Sequence, residues 1–214
     1  MLVDADTGFG EPRNAARTIS ELEDAGIAGC HLEDQVNPKR CGHLTGKSIV
    51  PTNEMVRRIR AAVPARRDDG FVICARTDAR AIEGLDGAIE RAKAYSDAGA
   101  DLIFTEALID ATEFATFRES VDIPLLANLT EFGQSDLIGA DTLTEIGYNA
   151  VIYPVTTLRV AMGAVENLLQ DLHSSGTQTG WLDAMQHRSR LYELNRYADF
   201  NQFDSGLFTY RRPS

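Results

Sequence analysis

The chain has 214 residues, 43% hydrophobic and 25% charged, with a formal net charge of −11. That length holds one large domain or two small ones with a sizeable core. The acidity argues against nucleic acid and anionic membranes as partners, and no apolar run approaches the roughly 20 residues that cross a bilayer.

Leu2 to Asp6 reads as a strand ending in the carboxylates Asp4 and Asp6, followed by a glycine-rich turn at Thr7 to Gly10. Ala15, Ala16, Ile19 and Leu22 recur at helical spacing between Pro12 and Ala25, and Gly26 is a natural stop. Ile27 to Leu32 is the next strand, ending at Glu33-Asp34. A polar loop with Lys39, Arg40, Cys41, Gly42 and His43 follows it. The spacing predicts a helix from Thr52, as N-cap, to Ala62. A strand over 71–75 ends at Arg76-Thr77-Asp78, and a helix runs over 85–98. The strand 102–104 ends at Thr105-Glu106. A helix over 111–120, a strand over 124–127 ending at Asn128, a short helix over 141–146, a strand over 150–153 and a long helix over 158–172 complete the alternation. Helices are expected between Trp181 and Asn195, with the last residues loosely held.

Asp24-Ala25-Gly26-Ile27, Asp97-Ala98-Gly99-Ala100 and Glu145-Ile146-Gly147-Tyr148 form a weak repeat, each between a helix and an apolar strand. Such helix-glycine-strand units build a parallel sheet with crossover helices, as in a TIM-type (β/α)8 barrel. The barrel is expected over 1–172, with 173–214 as a helical tail of the same domain.

Polar residues gather at strand C-terminal ends: Asp4, Asp6, Glu33, Arg76, Glu106 and Asn128. In barrels that end carries the chemistry. Asp4, Asp6 and Glu33 are hard oxygen ligands suited to Mg2+. Zinc is disfavoured, because no Cys/His group has tetrahedral-site spacing. Arg76 suits bidentate recognition of a substrate carboxylate, or a salt bridge to Asp78 or Glu106. Cys41 lies between cations and near an imidazole, surroundings that favour a thiolate. Gly42 permits close backbone approach. His31 and His43 are suited to orienting substrate oxygens or the thiol, although a core role fits His31 equally. Cys30 and Cys74 read as packing residues. Three cysteines without framework spacing, and no signal peptide, fit a reducing cytoplasm. With lysine confined to positions 39, 47 and 93, the acidic composition suits either a high-salt habitat or a GC-rich genome.

Asp4-Ala5-Asp6-Thr7-Gly8-Phe9-Gly10, His31-Leu32-Glu33-Asp34-Gln35, Lys39-Arg40-Cys41-Gly42-His43, Ala75-Arg76-Thr77-Asp78 and Asn128-Leu129-Thr130-Glu131-Phe132-Gly133 resemble the isocitrate lyase/phosphoenolpyruvate mutase superfamily. The Lys-Arg-Cys-Gly-His loop points to its 2-methylisocitrate lyase branch. The resemblance implies Mg2+-dependent (or Mn2+-dependent) retro-Claisen cleavage of a small carboxylate, 2-methylisocitrate, to pyruvate and succinate. It assigns Asp4, Asp6 and Glu33 to the metal, and Cys41, with His43, Arg76 and Glu106, to catalysis. Substrate binding falls to Gly42, Asn128, Thr130, Arg159 and Arg188. It also implies a homotetramer with a swapped eighth helix. Complete members carry a helix and two strands before the segment matching Leu2 to Asp6, so six of eight barrel strands are expected here. The rival readings are a phosphonomutase-type isomerase, another 2-oxo-acid lyase of the superfamily, and a truncated non-catalytic remnant.

Overall fold

Six short strands form one parallel sheet whose spatial order follows the chain, in a computed structural model that describes residues 1–209. They are β1 (Leu2–Asp4), β2 (Gly29–Glu33), β3 (Val72–Thr77), β4 (Leu102–Thr105), β5 (Leu125–Asn128) and β6 (Ala150–Ile152). Between them run α1 (Pro12–Asp24), α2 (Thr52–Ala62), α3 (Arg80–Asp97), α4 (Ala111–Ser120) and α5 (Ala140–Ile146). The sheet curls into a half-barrel. The chain divides into two compact units, the first being Met1–Thr156. The second, from Thr157, holds nearly all of α6 (Thr156–Ser175), then α7 (Arg188–Leu194) and α8 (Tyr197–Phe208). Helix α6, counted with the barrel in the sequence reading, thus belongs almost wholly to the second unit.

The glycine repeat has a common geometry. Gly26, Gly99 and Gly147 all have positive φ, at 76°, 103° and 104°. In each case the next residue donates its N–H five residues back: Ile27 to Leu22, Ala100 to Tyr95 and Tyr148 to Leu143. This hydrogen bond closes the helix and redirects the chain into the following strand, a turn that glycine makes without a Cβ penalty.

Strand alternation sorts the side chains into two sets. Cys30, Leu32, Ile73, Ala75, Ile103, Leu125 and Ala127 join Ile19, Met55, Ile59, Phe114 and Phe117 in the main core with the helices. Burying each large aliphatic side chain there contributes about 2 kcal/mol. The intervening residues Cys74, Phe104 and Leu126 form a separate small cluster on the other face. That second face also receives His31, Glu33, Arg76 and Asn128.

Three local expectations change. Helix α2 opens with Pro51 at its N-cap rather than Thr52, and no side chain caps it; the ring holds φ at −54°. Helix α3 begins at Arg80 but breaks at Gly84 (φ 80°), so the helical pattern expected from Leu85 is its second segment. Helix α8 lies within the expected helical tail but beyond Asn195, where the individually expected helices end.

Candidate active site

The strand register places the polar residues side by side. Glu33 lies opposite Arg76, and Arg76 opposite Phe104. Arg76 donates from Nε to Asp78 Oδ2 at 3.0 Å and from Nη2 to Asp78 Oδ1 at 3.2 Å. The same guanidinium approaches Glu33 and Glu106, each at 3.4 Å, and lies 4.9 Å above the Phe104 ring. Arg76 therefore fills the salt-bridge role at the head of the sheet, toward both Asp78 and Glu106. Asn128 donates from Nδ2 to both oxygens of Glu106, at 3.2 and 3.3 Å.

Asp4, His31 and Glu33 bring one donor atom each within 4.8 Å of one another. His31 Nε2 is 3.6 Å from Asp4 Oδ1, and the imidazole meets Phe104 edge-on. Glu33 is buried, and neither of its oxygens has a hydrogen-bond partner. Burial pushes its carboxyl up to about 7, with Asp78 and Asp4 adding to the rise and Arg76 and Lys39 opposing it. Burial also raises Asp4, but the charge on His31, the Asp6 N–H and Lys39 outweigh it, so the net direction is down. An unpartnered buried carboxylate is costly unless a cation meets it. Lys39 Nζ supplies one here, 2.7 Å from Asp6, 3.4 Å from Asp4 and 3.6 Å from Glu33. The donor set of oxygens with one imidazole fits a divalent cation such as Mg2+.

Above this cluster the segment 36–48 forms a pinned loop. Its base is closed by an antiparallel bridge between Gln35 and Ile49 and by Val36 N–H donating to Ser48 O at 2.9 Å. Cys41 is exposed at its tip, while Gly42 is buried. A Cβ on Gly42 would collide with Glu106 Cγ and come within 2.5 Å of Arg76 Nη2 and 2.7 Å of Asp78 Oδ1. Only glycine lets the loop descend that far onto the strand ends. His43 follows into the same place, with Nε2 2.6 Å from Glu106 Oε1. Gln134 donates its backbone N–H to His43 Nδ1 at 2.9 Å, so in the neutral ring the proton resides on Nε2, facing Glu106. Burial raises the Glu106 carboxyl, but the His43 contact and Arg76 prevail and hold it below the usual range.

Asp78, Lys47, Gln35 and Lys39 make contacts here that the sequence reading did not assign to them. Asp78 accepts from Lys47 at 3.0 Å as well as from Arg76, and it too is held below the usual carboxylate range: burial opposes this, but Arg76 and Lys47 outweigh it. Gln35 brackets the Arg40 peptide. Lys39 ion-pairs with the carboxylates, although its place in the sequence suggests a partner for the thiol. The scarcity of lysine was the available signal, because two of only three lysines lie in this loop. Thr130 is buried in the segment after β5. Arg159 lies on α6 and Arg188 opens α7, both in the second unit. The first unit by itself assembles Asp4, Asp6, Glu33, Gly42, His43, Arg76, Glu106 and Asn128 beneath the Cys41 loop.

Residues 1–173 match the phosphoenolpyruvate phosphomutase family. A protein of Corynebacterium glutamicum named probable 2-methylisocitrate lyase 1 is 70% identical over 213 residues, covering 99% of this chain and 70% of that protein. The crystal structure of 2,3-dimethylmalate lyase, a member of the PEP mutase/isocitrate lyase superfamily, aligns with a TM-score of 0.85 at 35% identity, over 96% of this chain and 69% of that one. Phosphonopyruvate hydrolase in complex with oxalate and Mg2+ aligns with a TM-score of 0.80 at 27% identity, over 95% and 71% of the two chains. By the family match over residues 1–173, the 70% identical relative and the shared arrangement of sheet and helices, the chain belongs to the phosphoenolpyruvate mutase/isocitrate lyase superfamily.

Proposed function

We propose that the chain is a Mg2+-dependent carbon–carbon lyase that cleaves 2-methylisocitrate to pyruvate and succinate. The observation that carries this reading is Glu33, a buried carboxylate with two unpartnered oxygens beside Asp4 and His31, beneath a loop that carries an exposed cysteine. The 70% identical relative bears the corresponding name.

Asp4 and Glu33, with Asp6 nearby, would hold the ion, which when bound supplies Lewis-acid stabilisation of negative charge on the 2-oxo fragment. The chain's own residues do the rest. In the retro-Claisen step the C2 hydroxyl gives its proton to a basic group of the site. The C2–C3 bond breaks with its electron pair left on C3 of the succinate half, and the proton released at oxygen balances the one that the thiol then supplies to carbon. Cys41 returns a proton to that carbon from its thiol. Arg76, Asn128 and Thr130 support binding of the carboxylate and hydroxyl groups. His43 and Glu106 form a fixed pair that holds a proton at His43 Nε2. The lowered loop excludes water from the carbanion.

The half-barrel is read as part of a (β/α)8 barrel, supported by the consecutive parallel strand order. Helix α6 exposes Leu158, Val160, Met162, Val165 and Leu169, which supports a homotetramer in which this helix is exchanged between subunits. Three free cysteines and the absence of a membrane-crossing helix among the described residues accord with a cytoplasmic enzyme.

A coupled assay of pyruvate release tests the reading, with Mg2+ or EDTA and with 2-methylisocitrate, isocitrate or phosphoenolpyruvate as substrate. Mg2+-dependent release from 2-methylisocitrate is expected. Turnover of only another substrate would move the chain to another branch, and silence with all three would overturn the lyase reading.

A further inference from the structure

The backbone on both sides of Cys41 is hydrogen-bonded by side chains from outside the loop tip. Gln35, buried at the end of the strand segment, forms a reciprocal pair with Arg40: its Nε2 donates to Arg40 O at 2.8 Å, and Arg40 N–H donates to Oε1 at 2.9 Å. On the other side of the cysteine, Lys47 Nζ donates to Gly42 O at 2.5 Å. The Cys41 carbonyl itself accepts from Leu44 N–H at 3.0 Å. Three successive carbonyls are thus occupied while Cys41 itself stays exposed.

Lys47 is a costly residue to place there, because its ammonium is buried and strongly hydrated in water. Its second partner explains the placement. It donates to Asp78 Oδ1 at 3.0 Å, and Asp78 is fixed by the Arg76 fork and by its own N–H donating to Asp34 Oδ1 at 2.9 Å. A chain of hydrogen bonds therefore runs from the core carboxylate Asp34 through Asp78 and Lys47 to the carbonyl of Gly42, the residue after Cys41. The Gln35 amide anchors Arg40, the residue before the cysteine.

We propose that Gln35 and Lys47 are positioning residues that clamp the backbone of the two residues flanking Cys41, at Arg40 and at the Gly42 carbonyl, and so set where its thiol is presented. Neither side chain need touch substrate. The catalytic consequence rests on Cys41 acting as proton donor in the reaction proposed above, whereas the clamp itself can be read without turnover.

The test uses Lys47→Met, which removes the ammonium but leaves Asp78 paired with Arg76, and Gln35→Leu, which is independent of Asp78. Lys47→Arg serves as the conservative rescue. In the full chain, hydrogen exchange at amides 39–44 and alkylation by iodoacetamide report the loop directly. Cys30 and Cys74 are fully buried, so alkylation reads Cys41. Lys47→Met and Gln35→Leu are each expected to speed loop exchange and to lower kcat by roughly tenfold or more, because small misplacements of a reacting group are costly, while KM changes by less than about threefold. Mn2+ affinity should be unchanged, and Lys47→Arg should recover most of the lost kcat. A residue that merely fastens the fold would lower Tm yet leave kcat per folded molecule and loop exchange as in wild type, and that result overturns the proposal. If wild type turns over none of the substrates, the lyase reading fails, but exchange and alkylation still decide the clamp.

Discussion

Glu33 and Asp34 follow one another at the end of β2, and both are 0% exposed. Strand alternation sends their carboxylates to opposite faces of the sheet. Asp34 turns toward the helices and completes its bonding inside the protein. It accepts from Thr77 Oγ1 and Tyr95 OH, each at 2.8 Å, from Asp78 N–H at 2.9 Å and from Arg91 Nη1 at 3.3 Å. Glu33 turns to the concave face and accepts no hydrogen bond; its nearest cations are Arg76 at 3.4 Å and Lys39 at 3.6 Å. Burial leaves both carboxyls above their usual range; at Asp34 hydrogen-bond donors oppose it, whereas at Glu33 only the nearby charges of Arg76 and Lys39 do. The contrast separates a carboxylate kept for the fold from one kept for a ligand: burial is the same, and unfinished bonding marks the second.

The sharpest way to break this contrast is to neutralise Glu33. Glu33→Gln should weaken Mn2+ binding by about 100-fold or more, since a direct ligand should matter at least as much as the supporting groups around a metal site. The metal-free protein should keep or raise its Tm. A variant that loses stability and retains Mn2+ affinity would reverse the two roles. Asp34→Ala is the complementary change. It strands Arg91 and Tyr95 and should cost about 3–5 kcal/mol in urea unfolding, the usual penalty for breaking a buried ion pair. Turnover per folded molecule should fall less than in Glu33→Gln.

Protons give a third measure. The Glu33 carboxyl lies at about 7 in the folded chain against an ordinary 4.5. The folded state therefore keeps a proton that the unfolded chain has released between these values. Stability of the metal-free protein gains from this group at low pH and loses that gain as pH rises through the window. A bound cation must expel that proton. Calorimetry in buffers of different ionisation enthalpy should therefore show up to about one proton released on Mg2+ binding at pH 6 and almost none at pH 8.5. Equal release by Glu33→Gln at pH 6 would assign the proton elsewhere. The smallest effect belongs to a carboxylate at the surface. Asp110 caps α4, accepting from Thr112 and Glu113 N–H at 2.9 and 3.0 Å. Asp110→Ala should cost about 1 kcal/mol and leave turnover unchanged, as measured by denaturation and the pyruvate assay.

The sequence exposes those features that are local. Periodicity and the recurring glycines reveal the helix-turn-strand unit, because a positive-φ helix stop depends on one residue and its neighbours. Asp4, Glu33, Arg76, Glu106 and Asn128 stand out by their place at strand ends, which parallel order then brings together. The difference between Glu33 and Asp34 is not legible, because it depends on Thr77, Tyr95 and Arg91 arriving from β3 and α3. Lys39 misleads for a similar reason: it is next but one to Cys41 in the chain, yet its long stem delivers the ammonium to the carboxylates. Gln35 and Lys47 act through backbone groups five residues away, a distance at which loop geometry rather than spacing decides contact. Helix α8 did carry a signal, in Tyr197, Phe200, Phe203 and Leu207 at helical spacing, interrupted by Gly206.

The central claim is that a cysteine on a pinned loop donates a proton above a metal held by strand-end carboxylates, with buried Glu33 among them. Its most direct test compares Cys41→Ser with wild type, measuring pyruvate release from 2-methylisocitrate alongside Mn2+ and succinate binding. The account predicts that cleavage falls by about 100-fold or more, the scale of a lost general acid, while both binding affinities are preserved. Turnover within about twofold of wild type would remove Cys41 from the proton transfer and contradict the account.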